Sequence, residues 1–242
     1  MKATPSDQFQ ILDIQRMDFQ VITLKNRAAS LSEIAEHLVT MQRLQVVRDL
    51  QVAAQTQMSD IKKELLRAEG DVEQVSSRLA RDEKRLSDSL TGAKELEKLQ
   101  HEIETLTARR SELEEVELEI MLRIDSVKDR LDELQAEEAQ LSAQSLEIEA
   151  RKSFALEQIN SEIASLTSER LVTVQGIDGA LVDLYEKIRS NSGTGAAALK
   201  GGQCNGCHLA INSVELSRIK TLASDEVVRC EECRCILIRG VR

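Results

Sequence analysis

The sequence predicts a mainly α protein: a long antiparallel coiled-coil hairpin followed by a small C-terminal β zinc ribbon. Three observations lead there. Leu99, Leu106, Leu113, Ile120, Val127, Leu134, Leu141 and Ile148 repeat at a strict spacing of seven, which keeps one seam toward a partner helix as the pair supercoils. A matching series, Met58, Leu65, Val72, Leu79 and Leu86, precedes it across a short break. Near the end of the chain stand two CxxC pairs, Cys204 with Cys207 and Cys230 with Cys233, the sequence form of a four-cysteine zinc site.

Composition agrees. The 242 residues carry a net charge of −10, one proline, no tryptophan and 2% aromatic residues. Apolar bulk comes from Leu, Ile, Val and Ala, the profile of long helices. No apolar run approaches the ~20 residues that span a bilayer, and Met1 to Gln10 lacks the apolar core of a targeting signal. Cysteines grouped as metal ligands suit a reducing compartment. The expectation is a soluble cytoplasmic protein with no membrane contact.

In chain order, the first helix should start near Ser6, just after Pro5, and end near Ala28, with a stripe of Leu12, Phe19 and Ile22 widened by Ile11, Ile14, Val21 and Leu24. Ser30-Leu31-Ser32-Glu33 reads as a capping box, so a second helix starts near Ser32 and runs to about Asp88. Its second seam position is Ile61, Ala68 and Val75. Residues 87–93, with Thr91-Gly92, look like the hairpin tip. After Ile148 the seam of the third helix shifts to Leu156, Ile159, Ile163 and Leu166, a stutter. One antiparallel register pairs Leu79 with Leu106, Leu65 with Ile120 and Leu44 with Leu141. It also sets the break near Ser30 opposite the stutter, and Phe19 near Leu166. Arg110 and Glu117 intrude at or beside the seam.

Three domains follow from this reading. The hairpin takes 1–175, with a joint near 29–31 and 149–158. A short helix (Ala180 to about Arg189, with Leu181, Leu184 and Ile188 inward) and a flexible Ser/Gly linker take 176–195. The zinc ribbon takes 196–242. Tyr185, the only tyrosine, should pack where coil meets ribbon. In the ribbon, Ala197 to Lys200, Val227-Val228 and Ile236 to Ile238 read as strands. Ser213 to Lys220 reads as a helix capped by Ser213.

The metal chemistry this implies is structural. Each CxxC turn aims two thiolates at one point, and four thiolates complete the tetrahedron of one Zn²⁺ with no open position for substrate. Gly206 suits the first turn, since glycine accepts unusual φ values. Cys235 reads as a spare thiol beside the site and His208 as a surface or supporting residue.

The chain resembles a bacterial family of coiled-coil proteins with a C-terminal four-cysteine zinc ribbon. The residues that carry the likeness are Lys94-Glu95-Leu96, Leu99-Gln100-His101-Glu102-Ile103, Leu184-Tyr185-Glu186-Lys187-Ile188-Arg189, Cys204-Asn205-Gly206-Cys207-His208 and Glu226-Val227-Val228-Arg229-Cys230-Glu231-Glu232-Cys233, followed by Ile236-Leu237. The family pattern has Gly-Arg after the last ligand, where this chain has Arg234-Cys235. What the resemblance implies is nucleic-acid binding through the ribbon. Particular relatives are tied to flagellar or secretion systems, to an alternative sigma factor or to messenger RNA.

For function, the residues show no nucleophile–base constellation and no phosphate-binding glycine loop, so the expectation is not an enzyme. It is an adaptor or scaffold that binds a partner protein through the coil, the ribbon or both, as a monomer or homodimer and without a small-molecule substrate. The alternative is RNA or DNA binding through the ribbon. Seven basic and five acidic residues from Lys200 to Arg242 nearly cancel once the zinc–thiolate charge is added. Arg229, Arg234 and Arg239 are the residues that could form a local patch.

Overall fold

The first helix starts where its backbone chemistry allows. In the computed structural model, which describes residues 1–88 and 92–240, α1 spans Pro5–Ala29. Pro5 occupies the first turn, where its missing N–H is not needed. The Thr4 hydroxyl accepts from the Asp7 amide at 3.1 Å as N-cap. Ser30 is the C-cap of α1 rather than part of a capping box: its Oγ donates to the Asn26 carbonyl at 2.9 Å. Then follow α2 (Ser32–Ser87) and α3 (Ala93–Gln175). The expected tip at 87–93 lies partly outside the described residues.

The chain divides into two compact units, Ala35–Glu149 on one side and Met1–Ile34 with Ala150–Arg242 on the other. The first is the hairpin of α2 and α3. Its core holds Val47, Ala54, Ile61 and Ala68 from α2 against Ile120, Val127 and Leu134 from α3, with Met58, Leu65, Ile124, Leu131 and Leu141 packed on its margin. Both series keep the heptad. On α2 the second seam position is the deeper one, because the small side chains of Ala54 and Ala68 let the helices approach closely. The register is the expected one. Pairing Leu79 with Leu106 puts residue 51 opposite 134, and there the Gln51 amide donates to the Leu134 carbonyl at 3.1 Å. Arg43 with Glu137, Arg48 with Glu138 and Arg123 with Glu64 bridge the same two helices at 2.7–2.8 Å. Exposed pairs of this kind stabilise little but reinforce register. Asp82 continues the α2 seam as a buried carboxylate, with Arg85 at 3.5 Å.

The other unit packs α1 against α4 (Gly179–Ser192) and the ribbon strands. Asp178 caps α4 by accepting from the Ala180 and Leu181 amides. The buried face of α1 is Gln8, Ile11, Ile14, Met17, Asp18 and Leu24, while Phe19 is 66% exposed and Ile22 43%. The stripe read from Leu12, Phe19 and Ile22 is therefore turned by part of a revolution. The reason is that α1 buries its face against α4 and the sheet, so Ile11 and Ile14 point inward.

Four short strands follow: β1 (Ala196–Lys200), β2 (Gln203–Cys204), β3 (Val228–Arg229) and β4 (Ile236–Ile238), ordered β2-β1-β4-β3. β1 runs parallel to β4 and antiparallel to β2, and β3 is antiparallel to β4. Gly201 and Gly202, at φ +59° and +75°, form the tight β1–β2 turn that requires left-handed residues. The sheet is covered on both faces, so its side chains alternate between two cores. Ala196, Ile236 and Ile238 join Tyr185, Ile11 and Ile14, whereas Ala197 and Leu237 join the cysteines and Ile219 of α5 (Ser213–Thr221). The cap of α5 is Asn212, one residue before the expected Ser213; its side chain accepts from Val214 N at 3.0 Å.

Where composition suggested a flexible linker, the structure has a tied turn. Gly193 closes α4 in the left-handed region at φ +79°. The Gly195 and Ala196 amides both donate to Gln15 Oε1, at 2.6 and 3.2 Å. Among the described residues, no helix is long and apolar enough to cross a membrane.

Candidate metal centre

The two CxxC turns are built alike. The backbone N–H of His208 donates to the Cys204 carbonyl at 2.7 Å, and that of Arg234 to the Cys230 carbonyl at 3.0 Å. Both closing residues are left-handed, at φ 61° and 65°. The unusual backbone thus falls one residue after each second cysteine and not at Gly206. Gly206 is small for a different reason: a Cβ there would lie 3.1 Å from Ala197 Cβ and 3.4 Å from Cys235 Sγ. Its amide donates to Cys204 Sγ at 3.4 Å. Leu199 pairs with Cys204 beside the first turn, the Cys230 amide donates to the Cys235 carbonyl at 2.9 Å beside the second, and the pairing of β1 with β4 holds the two turns together.

The sulfurs of Cys204, Cys207, Cys230 and Cys233 all lie within 4.8 Å of one another. Cys204 is 3.8 Å from Cys233, and Cys207 is 3.9 Å from Cys230. A tetrahedral zinc with Zn–S bonds of about 2.3 Å sets its sulfurs about 3.8 Å apart. The donor set and its spacing therefore fit one structural zinc ion, which would be closed to substrate. Burial pushes the Cys233 thiol up to about 12. So dense a group of sulfurs becomes thiolate when a cation takes the place of its protons.

Cys235 is fully buried, with its sulfur 3.3 Å from Cys233 and 3.6 Å from Cys204. It sits over one edge of the sulfur tetrahedron, closer to these two than tetrahedral ligands sit to each other. Burial also raises its thiol well above the ordinary range. His208 is exposed and serves the turn through its backbone.

The three arginines are engaged differently. Arg239 points its guanidinium inward, donating to the carbonyls of Ile219, Leu222, Ala223, Ser224 and Glu226 at 2.6–3.3 Å. It ties the end of α5 to the loop before β3. Arg229 Nε donates to the Arg234 carbonyl at 3.0 Å. The backbone of Arg234 closes the second turn.

Sequence reasoning missed a polar group beside the ribbon. Asp18, almost fully buried on α1, accepts from Arg170 at 2.7 Å, lies 3.3 Å from Arg189 and accepts from the Tyr185 hydroxyl at 2.7 Å. Its signal in the sequence was a carboxylate at the heptad position after Ile11 and Ile14, on what proves to be the inner face.

Comparison with known proteins agrees with this architecture. Residues 14–193 match the CT398-like coiled coil hairpin domain. The chain belongs to that family. Residues 203–237 match the C4-type zinc ribbon domain. A Mycobacterium tuberculosis protein, Rv2229c, is 30% identical over 246 residues, covering 99% of this chain and 98% of the relative. A solved Mycobacterium smegmatis structure superposes with a TM-score of 0.86 at 31% identity, covering 99% of this chain and all of the other. CT398 from Chlamydia trachomatis shares the fold, with a TM-score of 0.67 at 22% identity over 97% of this chain and 98% of that one.

Proposed function

We propose that the protein is a non-enzymatic adaptor or scaffold that binds a partner protein through the coiled coil, the ribbon or both. In this reading Cys204, Cys207, Cys230 and Cys233 ligate one zinc that shapes the ribbon. The observation that carries the proposal is the outer surface of the hairpin. Leu38, Val39, Val52, Leu66, Leu118, Leu122 and Leu146 are each at least 59% exposed there. A spacer needs only a polar outer face, whereas a docking surface needs apolar anchors among the charges.

The zinc group supplies folding free energy rather than chemistry. The four-thiolate set leaves no position for a reacting oxygen. The ribbon shares a core with α1 and α4 through Ala196, Ile236 and Ile238, so the metal also supports the helices beside it.

Nucleic-acid binding through Arg229, Arg234 and Arg239 has weaker support, because the Arg239 donors are taken up by backbone carbonyls. The experiment is affinity purification of the tagged full chain from its native cells, with and without nuclease. A stoichiometric protein that stays bound after nuclease is the expected result. Loss of every bound component on nuclease treatment would favour the nucleic-acid alternative.

A further inference from the structure

The charge of this chain is unevenly placed. The net charge is −10, and α3 alone carries 20 acidic against 10 basic residues, a net of −10. The rest of the chain is neutral in sum. Within α3, Glu112, Glu114, Glu115, Glu117 and Glu119 fall in eight residues with no base between them. Among the described residues, Glu115, Glu119, Asp125 and Asp129 have no ion-pair partner, although nearby Glu112 and Glu114 pair along the helix with Arg109 and Arg110.

Apolar side chains stand among these carboxylates. Leu118 is 60% exposed and Leu122 69%. They are four residues apart, hence neighbours on one face. They flank Ile120, which turns into the hairpin core. Met121 is also exposed, at 46%.

We propose that the outer face of α3 from Glu112 to Asp129 docks a cationic amphipathic helix of a partner protein, an inference that rests on the adaptor reading. Leu118 and Leu122 supply the anchors that a helix takes at i and i+4 spacing. The surrounding carboxylates attract lysines and arginines, which speeds encounter and sets register. A second copy of this chain fits less well. Its α3 would bring the same negative charge. The α2 segment level with this face, residues 56–73, has Lys62, Lys63 and Arg67 against five acids. Nucleic acid is repelled by such a face.

The test is fluorescence anisotropy of the full chain with a dye-labelled synthetic helical peptide, leucines on one face and lysines and arginines beside them. A scrambled peptide of identical composition is the comparison. The amphipathic peptide should bind the parent protein, and the scrambled one at least about tenfold more weakly. Leu118→Ser with Leu122→Ser should cost about tenfold or more, the scale of two half-buried leucines. Glu115→Lys with Glu119→Lys should slow association and flatten its salt dependence. Equal binding of the scrambled peptide would overturn the proposal, leaving only diffuse attraction. Unchanged affinity in the leucine variant would do the same, as would a parent dimer that this variant dissociates. If the tagged leucine variant still retains a nuclease-resistant partner from cells, this site falls while the adaptor reading stands. If the peptide binds as stated but the parent chain retains no such partner, the adaptor reading is the one that fails.

Discussion

The hydroxyl of Tyr185 donates to Asp18 Oδ2 at 2.7 Å, across 167 positions of sequence and with both side chains buried. That bond joins α4 to α1, and Arg170 brings in α3 through the same carboxylate. Tyr185→Phe leaves Asp18 its arginine partners and should cost about 1–2 kcal/mol. Asp18→Asn leaves Arg170, with a side chain only 18% exposed, with Glu186 as its remaining countercharge. It should cost about 3 kcal/mol, the low end for one partner of a buried pair, because Glu186 stays in place. Denaturant unfolding of the two variants checks the order. Equal costs would mean that the arginines contribute nothing through Asp18.

The same cluster makes the unit sensitive to acid. Burial works to raise the Glu186 carboxyl, but hydrogen bonds from Arg170 and Arg189 outweigh it and hold the group below its ordinary 4.5. A carboxylate held low in the folded state adds stability above its unfolded value, and this is lost as pH falls through the folded one. Stability should therefore drop as pH falls below about 4.5, and Glu186→Gln should reduce the drop. The chain has one tyrosine and no tryptophan, so tyrosine emission reports on this core alone. An identical acid profile in the variant would remove Glu186 from the account.

Gly195 is pressed against the same tyrosine. A Cβ at this position would lie 2.5 Å from two Tyr185 ring carbons and 2.9 Å from its carbonyl oxygen. The ring is fully buried and pinned by its hydroxyl, so it has nowhere to retreat. Gly195→Ala should destabilise by about 1–3 kcal/mol, the usual cost of overpacking. Gly179, the first residue of α4, has open space around its Cβ position. Gly179→Ala should be neutral or slightly stabilising. Thermal melts followed by tyrosine emission compare the two directly.

How much of this was legible in the sequence depends on the range of the signal. The heptads ending at Leu86 and starting at Leu99 carry the hairpin register: a spacing of seven allows antiparallel registers one heptad apart, and the shortness of the break between the two series selects one of them. The cysteine spacing announces the sulfur cluster in the same way. The inward face of α1 is not periodic in hydrophobicity alone: Asp18 sits inside and Phe19 outside, an arrangement set by arginines more than 150 residues away. Ser190 to Gly195 reads as a loose linker by composition. What holds it is Gln15 Oε1, a partner that composition cannot reveal.

Arg234 shows the limit of reading a turn from residue type. The position is left-handed at φ 65°, where a Cβ costs about 1–2 kcal/mol. Arg234→Gly should tighten the second turn by about 1 kcal/mol, because the contacts made here by its backbone, to Cys230 and from Arg229, remain. Slower zinc loss to a chelator would show it. Faster loss would mean that the arginine side chain contributes more than the backbone relief.

The last prediction concerns which thiols hold the metal. Cys207→Ser and Cys230→Ser should each lose the zinc, since each removes one corner of the sulfur tetrahedron and a serine hydroxyl is a poor substitute. With the metal gone, β1 and β4 should loosen. Tyrosine emission should then change, because Ala196, Ile236 and Ile238 share a core with Tyr185. The hairpin of residues 35–149 has its own core, so most far-UV helical signal should persist. Cys235→Ser should keep one zinc per chain. The Cys235 sulfur lies 3.3 and 3.6 Å from two of the four, nearer than a further vertex of the same polyhedron would stand, so it is expected to support the ligands without being one. Metal analysis of the purified variants separates these cases. Full occupancy in Cys230→Ser would refute the four-cysteine assignment, and metal loss in Cys235→Ser would move Cys235 into the ligand set.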